Sequence, residues 1–117
     1  MNGWIRDWTS LWDLIERRAA ATPDARFAID EDGRSLTFAE YRDAALRAAA
    51  GFVAMGVGEG DVVSWQLPTW LEAMVLVGAL SRLGAIQNPI LPIYRDREVG
   101  FVVRQADAKV LVVTSEW

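Results

Sequence analysis

The sequence predicts an α/β fold, a mostly parallel sheet with flanking helices preceded by a short N-terminal β-hairpin. Three observations carry this prediction. From residue 61 onward the pattern alternates strand, helix, strand, helix, strand, at spacings that suit right-handed parallel crossovers. Asp32-Gly33 lies between two short segments of strand character, a strong signal for a tight antiparallel turn. Finally, 52% of the 117 residues are apolar, enough for a core, and rich for a lone soluble domain with 24% charged residues.

The elements follow in order. Ser10 can cap a first helix, with Asp13 three residues later, and Leu11, Leu14, Ile15 and Arg18 fall on one stripe before Pro23 closes it. Arg26 to Asp30 and Ser35 to Thr37 read as the hairpin strands. Thr37 to Glu40 is a capping box, and Phe38, Tyr41, Ala45, Ala48 and Phe52 then recur at helical spacing until Gly56. Asp61 to Leu67 reads as a strand stopped by Pro68, and Thr69 to Glu72 as a third capping box. The helix from Trp70 to Leu83 is apolar nearly all round, so it should be covered on several sides, and Gly84 ends it. Ala85 to Leu91 is a further strand broken by Pro89, Asp96 to Ala106 a fourth helix with Val99, Val102 and Val103 inward, and Lys109 to Thr114 the last strand. A doubly wound sheet usually continues into another helix at that point, so a piece of something larger is expected.

Composition removes whole classes of chemistry. There is no cysteine and no histidine, hence no disulfide, thiol nucleophile, Cys/His zinc site or histidine base. A net charge of -4 and a pI near 4.7 argue against nucleic acid. Residues 1–18 lack the apolar core of a secretory signal. The longest uncharged apolar run, Ala73 to Ser81, is well short of the ~20 residues that span a bilayer. The expected location is cytoplasmic.

Several motifs admit two readings. Gly56-Val57-Gly58-Glu59-Gly60 follows a helix and precedes a strand, the reverse of a phosphate-cradling loop, and reads as a helix stop plus a turn. Trp4, Trp8 and Trp12 recur every fourth residue, as a membrane anchor or as an N-terminal arm packed on its own domain; Asp7 and Asp13 favour packing. Gln87 and Asn88 lie toward the ligand-binding end of a parallel strand, or are simply satisfied polar groups. Arg95 stands where a helix cap of about 1 kcal/mol is expected and cannot accept the amide hydrogen bonds, so that cap is lost unless Asp96 substitutes one residue later. With Arg97 and Arg104, Arg95 could serve an anion or form a solvated face.

The ordered set of segments resembles the start of the adenylate-forming superfamily of acyl-CoA synthetases, luciferases and nonribosomal adenylation domains. It comprises Ser10-Leu11-Trp12-Asp13-Leu14-Ile15-Glu16 to Thr22-Pro23-Asp24, Leu36-Thr37-Phe38-Ala39-Glu40-Tyr41, Gly56-Val57 through Gly60-Asp61-Val62-Val63, Leu67-Pro68-Thr69 to Glu72, Leu83-Gly84-Ala85 and Asn88-Pro89. Leu91-Pro92-Ile93-Tyr94-Arg95-Asp96-Arg97-Glu98-Val99 is most similar to the branch of cyclohexanecarboxylate-CoA ligases and short-to-medium-chain fatty acyl-CoA synthetases, where an arginine at the helix start is usual.

The resemblance implies that residues 1–117 are an N-terminal part of the large domain of an acid–thiol ligase. Such an enzyme uses ATP, Mg and CoA to convert a carboxylic acid to its thioester through an acyl-adenylate. It assigns no catalytic and no metal-binding residue here, because the family's phosphate loop, hinge and catalytic lysine lie downstream; Lys109 matches none of them. By itself this piece is expected to be a scaffold without activity and without a cofactor, partnered by the rest of the synthetase or by itself. The one local ligand expectation is Pro92, Ile93, Tyr94 and Arg95, a turn that in related enzymes lies near the CoA nucleotide. The alternative is a self-standing α/β binding or interaction module of the same ancestry.

Overall fold

The structure, a computed structural model, describes residues 10–115. Its elements are α1 (Leu11–Ala21), β1 (Arg26–Ile29), β2 (Ser35–Thr37), α2 (Phe38–Ala54), β3 (Val62–Gln66), α3 (Leu71–Leu83), β4 (Ile86–Pro89), α4 (Asp96–Ala106) and β5 (Val110–Val113). β1 and β2 pair antiparallel, and β4-β3-β5 form a parallel sheet with β3 in the middle. The predicted class and the hairpin are therefore both present. Trp4 and Trp8 lie outside the described residues; Trp12 is half-buried, and its backbone N–H donates to Ser81 Oγ at 3.0 Å.

Local chemistry explains the turns. The Asp30 carboxylate accepts from the N–H groups of Asp32 (3.0 Å) and Arg34 (2.9 Å), so one side chain organises the hairpin loop around Gly33, which sits at φ +84°. Ser10 caps α1 through Asp13 N–H (3.1 Å), and Thr37 and Glu40 form the reciprocal box at α2. Gly56 (φ +87°) and Gly84 (φ +69°) stop α2 and α3 in the left-handed conformation that glycine tolerates best.

α3 is the hub, as its all-round apolar character requires. Leu76 and Leu80 pack with Val57 and Val63 under the sheet, while α1 and α2 lie against its other sides. The chain moves from β3 to β4 through α3, then back past β3 to β5 through α4. Two right-handed crossovers in opposite directions put their helices on opposite faces. α4 covers its face thinly: Val99, Val102 and Val103 are half-buried, and no α4 residue is fully buried.

Four local expectations are corrected. The α3 N-cap is Trp70, not Thr69, with no side-chain cap, and the Glu72 carboxylate is held by the Arg34 guanidinium (2.5 and 3.2 Å). The start of α4 is not left without a partner: Glu98 Oε2 accepts from Arg95 N–H at 3.2 Å, supplying the acidic half of a capping box. Leu11 is exposed, and the α1 core positions are Ile15 and Ala19. In α2 the buried small residues are Ala45 and Ala49, four apart and so on one face, while Ala48 is only half-buried.

Candidate functional site

The C-terminal end of a parallel sheet is where α/β folds place ligands, and the turn after β4 lies there. Ile90 N–H donates to Trp65 O at 2.8 Å, extending the parallel ladder one residue past β4, and the Ile90 side chain is buried. Beyond it the chain turns outward. Leu91, Ile93 and Tyr94 are exposed, Ile93 to 77%, and Arg95 opens α4 with an exposed side chain.

The backbone of this turn is tied inward. Tyr94 N–H donates to Leu91 O at 3.2 Å, and the buried side chain of Gln66 donates from Nε2 to both Leu91 O and Tyr94 O, each at 2.9 Å. Pro92, Ile93, Tyr94 and Arg95 thus form one continuous surface on a fixed backbone. Gln66 is the site residue that sequence reasoning passed over. Its signal was an amide at the end of a mostly apolar strand, since such a group must find partners when buried.

The other candidates do not join this turn. Gln87 Nε2 donates to Val77 O (3.2 Å) and Asn88 Nδ2 to Ser64 Oγ (2.9 Å), so both are polar groups satisfied within the fold. The glycine-rich segment is a turn: Gly58 N–H donates to Asp61 Oδ2 (2.8 Å) and Gly60 N–H to Gly84 O (3.0 Å). Its amides are therefore occupied and do not fit a phosphate. Lys109 closes the same loop, with Nζ 2.6 Å from Gly56 O and 3.3 Å from Asp61 Oδ2. The Gly58 N–H and the Lys109 ammonium hold the Asp61 carboxyl below its usual range. Among the described residues no group of three or more acidic residues is placed to hold a metal ion.

Two apolar grooves flank the core. One, of about 870 Å³, runs between α2, α3 and the end of β5, with Leu36, Leu67, Trp70, Leu76 and Val112 in its walls and Arg34 and Glu72 at its rim. The other, about 820 Å³, lies between α1 and the hairpin, over Leu14, Phe27, Phe38 and Met74.

Comparison with known proteins follows the same outline. Over 100 residues the chain is 35% identical to "Medium-chain fatty-acid--CoA ligase" of Escherichia coli (strain K12), covering 86% of this chain and 18% of that protein. It superposes on a Mycobacterium tuberculosis fatty acyl CoA synthetase with a TM-score of 0.87 at 24% identity, over 91% of this chain and 21% of that one. The N-terminal domain of FACL13 from Mycobacterium tuberculosis matches with a TM-score of 0.88 at 24% identity, over 92% of this chain and 28% of that one. These two likenesses establish the shared fold. The chain spans less than a fifth of the length of the first curated relatives. Residues 15–117 match the family described as AMP-binding enzyme, and the chain belongs to that family.

Proposed function

We propose that residues 1–117 form the N-terminal part of the large domain of an ATP-dependent acyl-CoA ligase acting on a short-to-medium-chain carboxylic acid in the cytoplasm. The observation that carries this is the 35% identity to a medium-chain fatty-acid–CoA ligase across 86% of the chain, joined to the family match. In such a ligase a carboxylate would attack the α-phosphate of ATP, with Mg neutralising phosphate charge, to give an acyl-adenylate as pyrophosphate leaves, and the CoA thiol would then displace AMP to give the thioester.

The described residues contribute position and shape to that chemistry. Phosphoryl and acyl transfer depend on cations and amides aimed at developing charge. The amides of Gly56, Val57, Gly58 and Gly60 and the Lys109 ammonium are already engaged with the protein, so they do not suit ATP. The Pro92–Arg95 turn suits CoA better, with one exposed cation at a helix start beside exposed apolar side chains. The rest of the synthetase supplies the reacting groups and lies over the open grooves and sheet edges.

Carboxylate-dependent ATP–pyrophosphate exchange tests this. The longer protein that the reading requires exchanges with short-to-medium-chain acids, and the isolated 117-residue chain does not. Exchange by the isolated chain above a no-enzyme blank would overturn the assignment of a scaffold role.

A further inference from the structure

We infer that Gln66 is a positioning residue for the Pro92–Arg95 turn, presetting the shape in which the turn meets its ligand. The inference rests on the reading that this turn borders CoA. Gln66 is the last residue of β3, the central strand, which is hydrogen-bonded on both sides and so is the least free to move. Its side chain is only 6% exposed. A primary amide carries two N–H donors on one nitrogen, and both are used: one carbonyl lies before the turn, Leu91 O, and one within it, Tyr94 O. Ile90 N–H to Trp65 O on one side and Arg95 N–H to Glu98 on the other complete the fixation.

The result is an unusual division. The carbonyls of Leu91 and Tyr94 face the buried Gln66 amide, and the side chains of Leu91, Ile93, Tyr94 and Arg95 are exposed. A loop free to move would have to be ordered by its ligand, at a cost in affinity for each residue fixed. Here a single buried amide has already fixed it. No other common side chain of this length does the same: a carboxylate has no donor at neutral pH, and leucine or methionine has none at any pH.

The test uses Gln66→Met, which keeps the volume, and Gln66→Glu, which keeps the shape and removes the donors, both in the full-length ligase. Amide hydrogen exchange at Tyr94 and Arg95 should quicken at least about tenfold while the Ser64 amide in β3 stays protected, which shows the fold intact. KM for CoA should rise about five- to tenfold and KM for ATP stay put. Unchanged exchange at Tyr94 and Arg95 overturns the inference. So does faster exchange with an unchanged KM for CoA, provided that Arg95→Ala raises it. If Arg95→Ala also leaves KM for CoA unchanged, the CoA reading of the turn is what fails.

Discussion

The phenolic oxygen of Tyr41 stands 2.8 Å from where a Cβ on Gly78 would be, so α2 and α3 meet through a residue that has no side chain. Tyr41 uses this space to donate to Met74 O at 2.7 Å, and its ring is held by a stacked Phe27, 3.9 Å between centroids at 8°. A phenol braced on its far face cannot swing away cheaply. Gly78→Ala should therefore destabilise despite gaining about 1 kcal/mol of helix propensity, because overpacking costs about 1 to 3 kcal/mol. A net loss near 1 kcal/mol is expected in urea unfolding. Combining it with Tyr41→Phe, which removes the clashing oxygen, should recover part of the loss, and strict additivity would refute the contact.

Burial pushes the Tyr41 hydroxyl up to about 12, with the Gly78 N–H only partly opposing. The folded state thus holds this proton where an unfolded tyrosine, near 10, has released it. Stability from this group is complete below about pH 10 and falls as pH rises toward 12, by at most about 2 kcal/mol. Urea midpoints across that range should drop in the parent and drop less in Tyr41→Phe; parallel curves would contradict the assignment.

Arg34 links the hairpin to the start of α3 through Asp30 (2.6 Å) and Glu72 (2.5 Å). At Asp30, desolvation raises the carboxyl's pKa, but hydrogen bonds from Arg34 outweigh it; at Glu72 the Arg34 hydrogen bond dominates, so both are held below their usual range. Such carboxylates stabilise above their unfolded values and lose that contribution as pH falls through the folded ones. The stability gap between the parent and Arg34→Gln should accordingly narrow from neutral pH toward acid. A constant gap would show that the network contributes nothing electrostatic.

Trp65 packs against the α3 core cluster, yet its buried Nε1 has no hydrogen-bond partner among the described residues. Removing an unsatisfied donor offsets part of the lost apolar area. Trp65→Phe is thus expected to unfold within about 1 kcal/mol of the parent. A loss above about 3 kcal/mol, the size of a deep truncation, would mean the indole nitrogen is satisfied after all.

β4 and β5 have no further strand partner among the described residues, and Ile86, Leu111 and Val113 are exposed beside them. Open edges and exposed apolar side chains seek partners. The isolated 117-residue chain should therefore self-associate, and light scattering that gives a 13.0 kDa monomer at high concentration, with no hydrophobic dye bound, would refute this.

Most of the fold was legible because its signals are local. Thr37 and Glu40, Asp32-Gly33, Gly56 and Gly84 act on neighbours within a few residues, and each marks the boundary it predicted. The failures came from distant partners. Nothing near Glu72 says that Arg34, in another element, will claim its carboxylate, and nothing near Gln66 names the carbonyls of Leu91 and Tyr94. The candidate turn was visible as a motif; the residue beneath it was not.

The central place of β3 also bears on how the chain is made. β3 precedes both of its neighbours, so its two sides are completed at different moments of synthesis. As the ribosome releases the chain N-terminus first, β4 arrives directly after α3 and closes one side. The other side waits until α4 and then β5 have emerged. During that interval the middle strand of the finished sheet is an edge, with Val63 to Gln66 open to any passing strand. Only the pairing of Val63 to Gln66 with Val110 to Val113 closes that side.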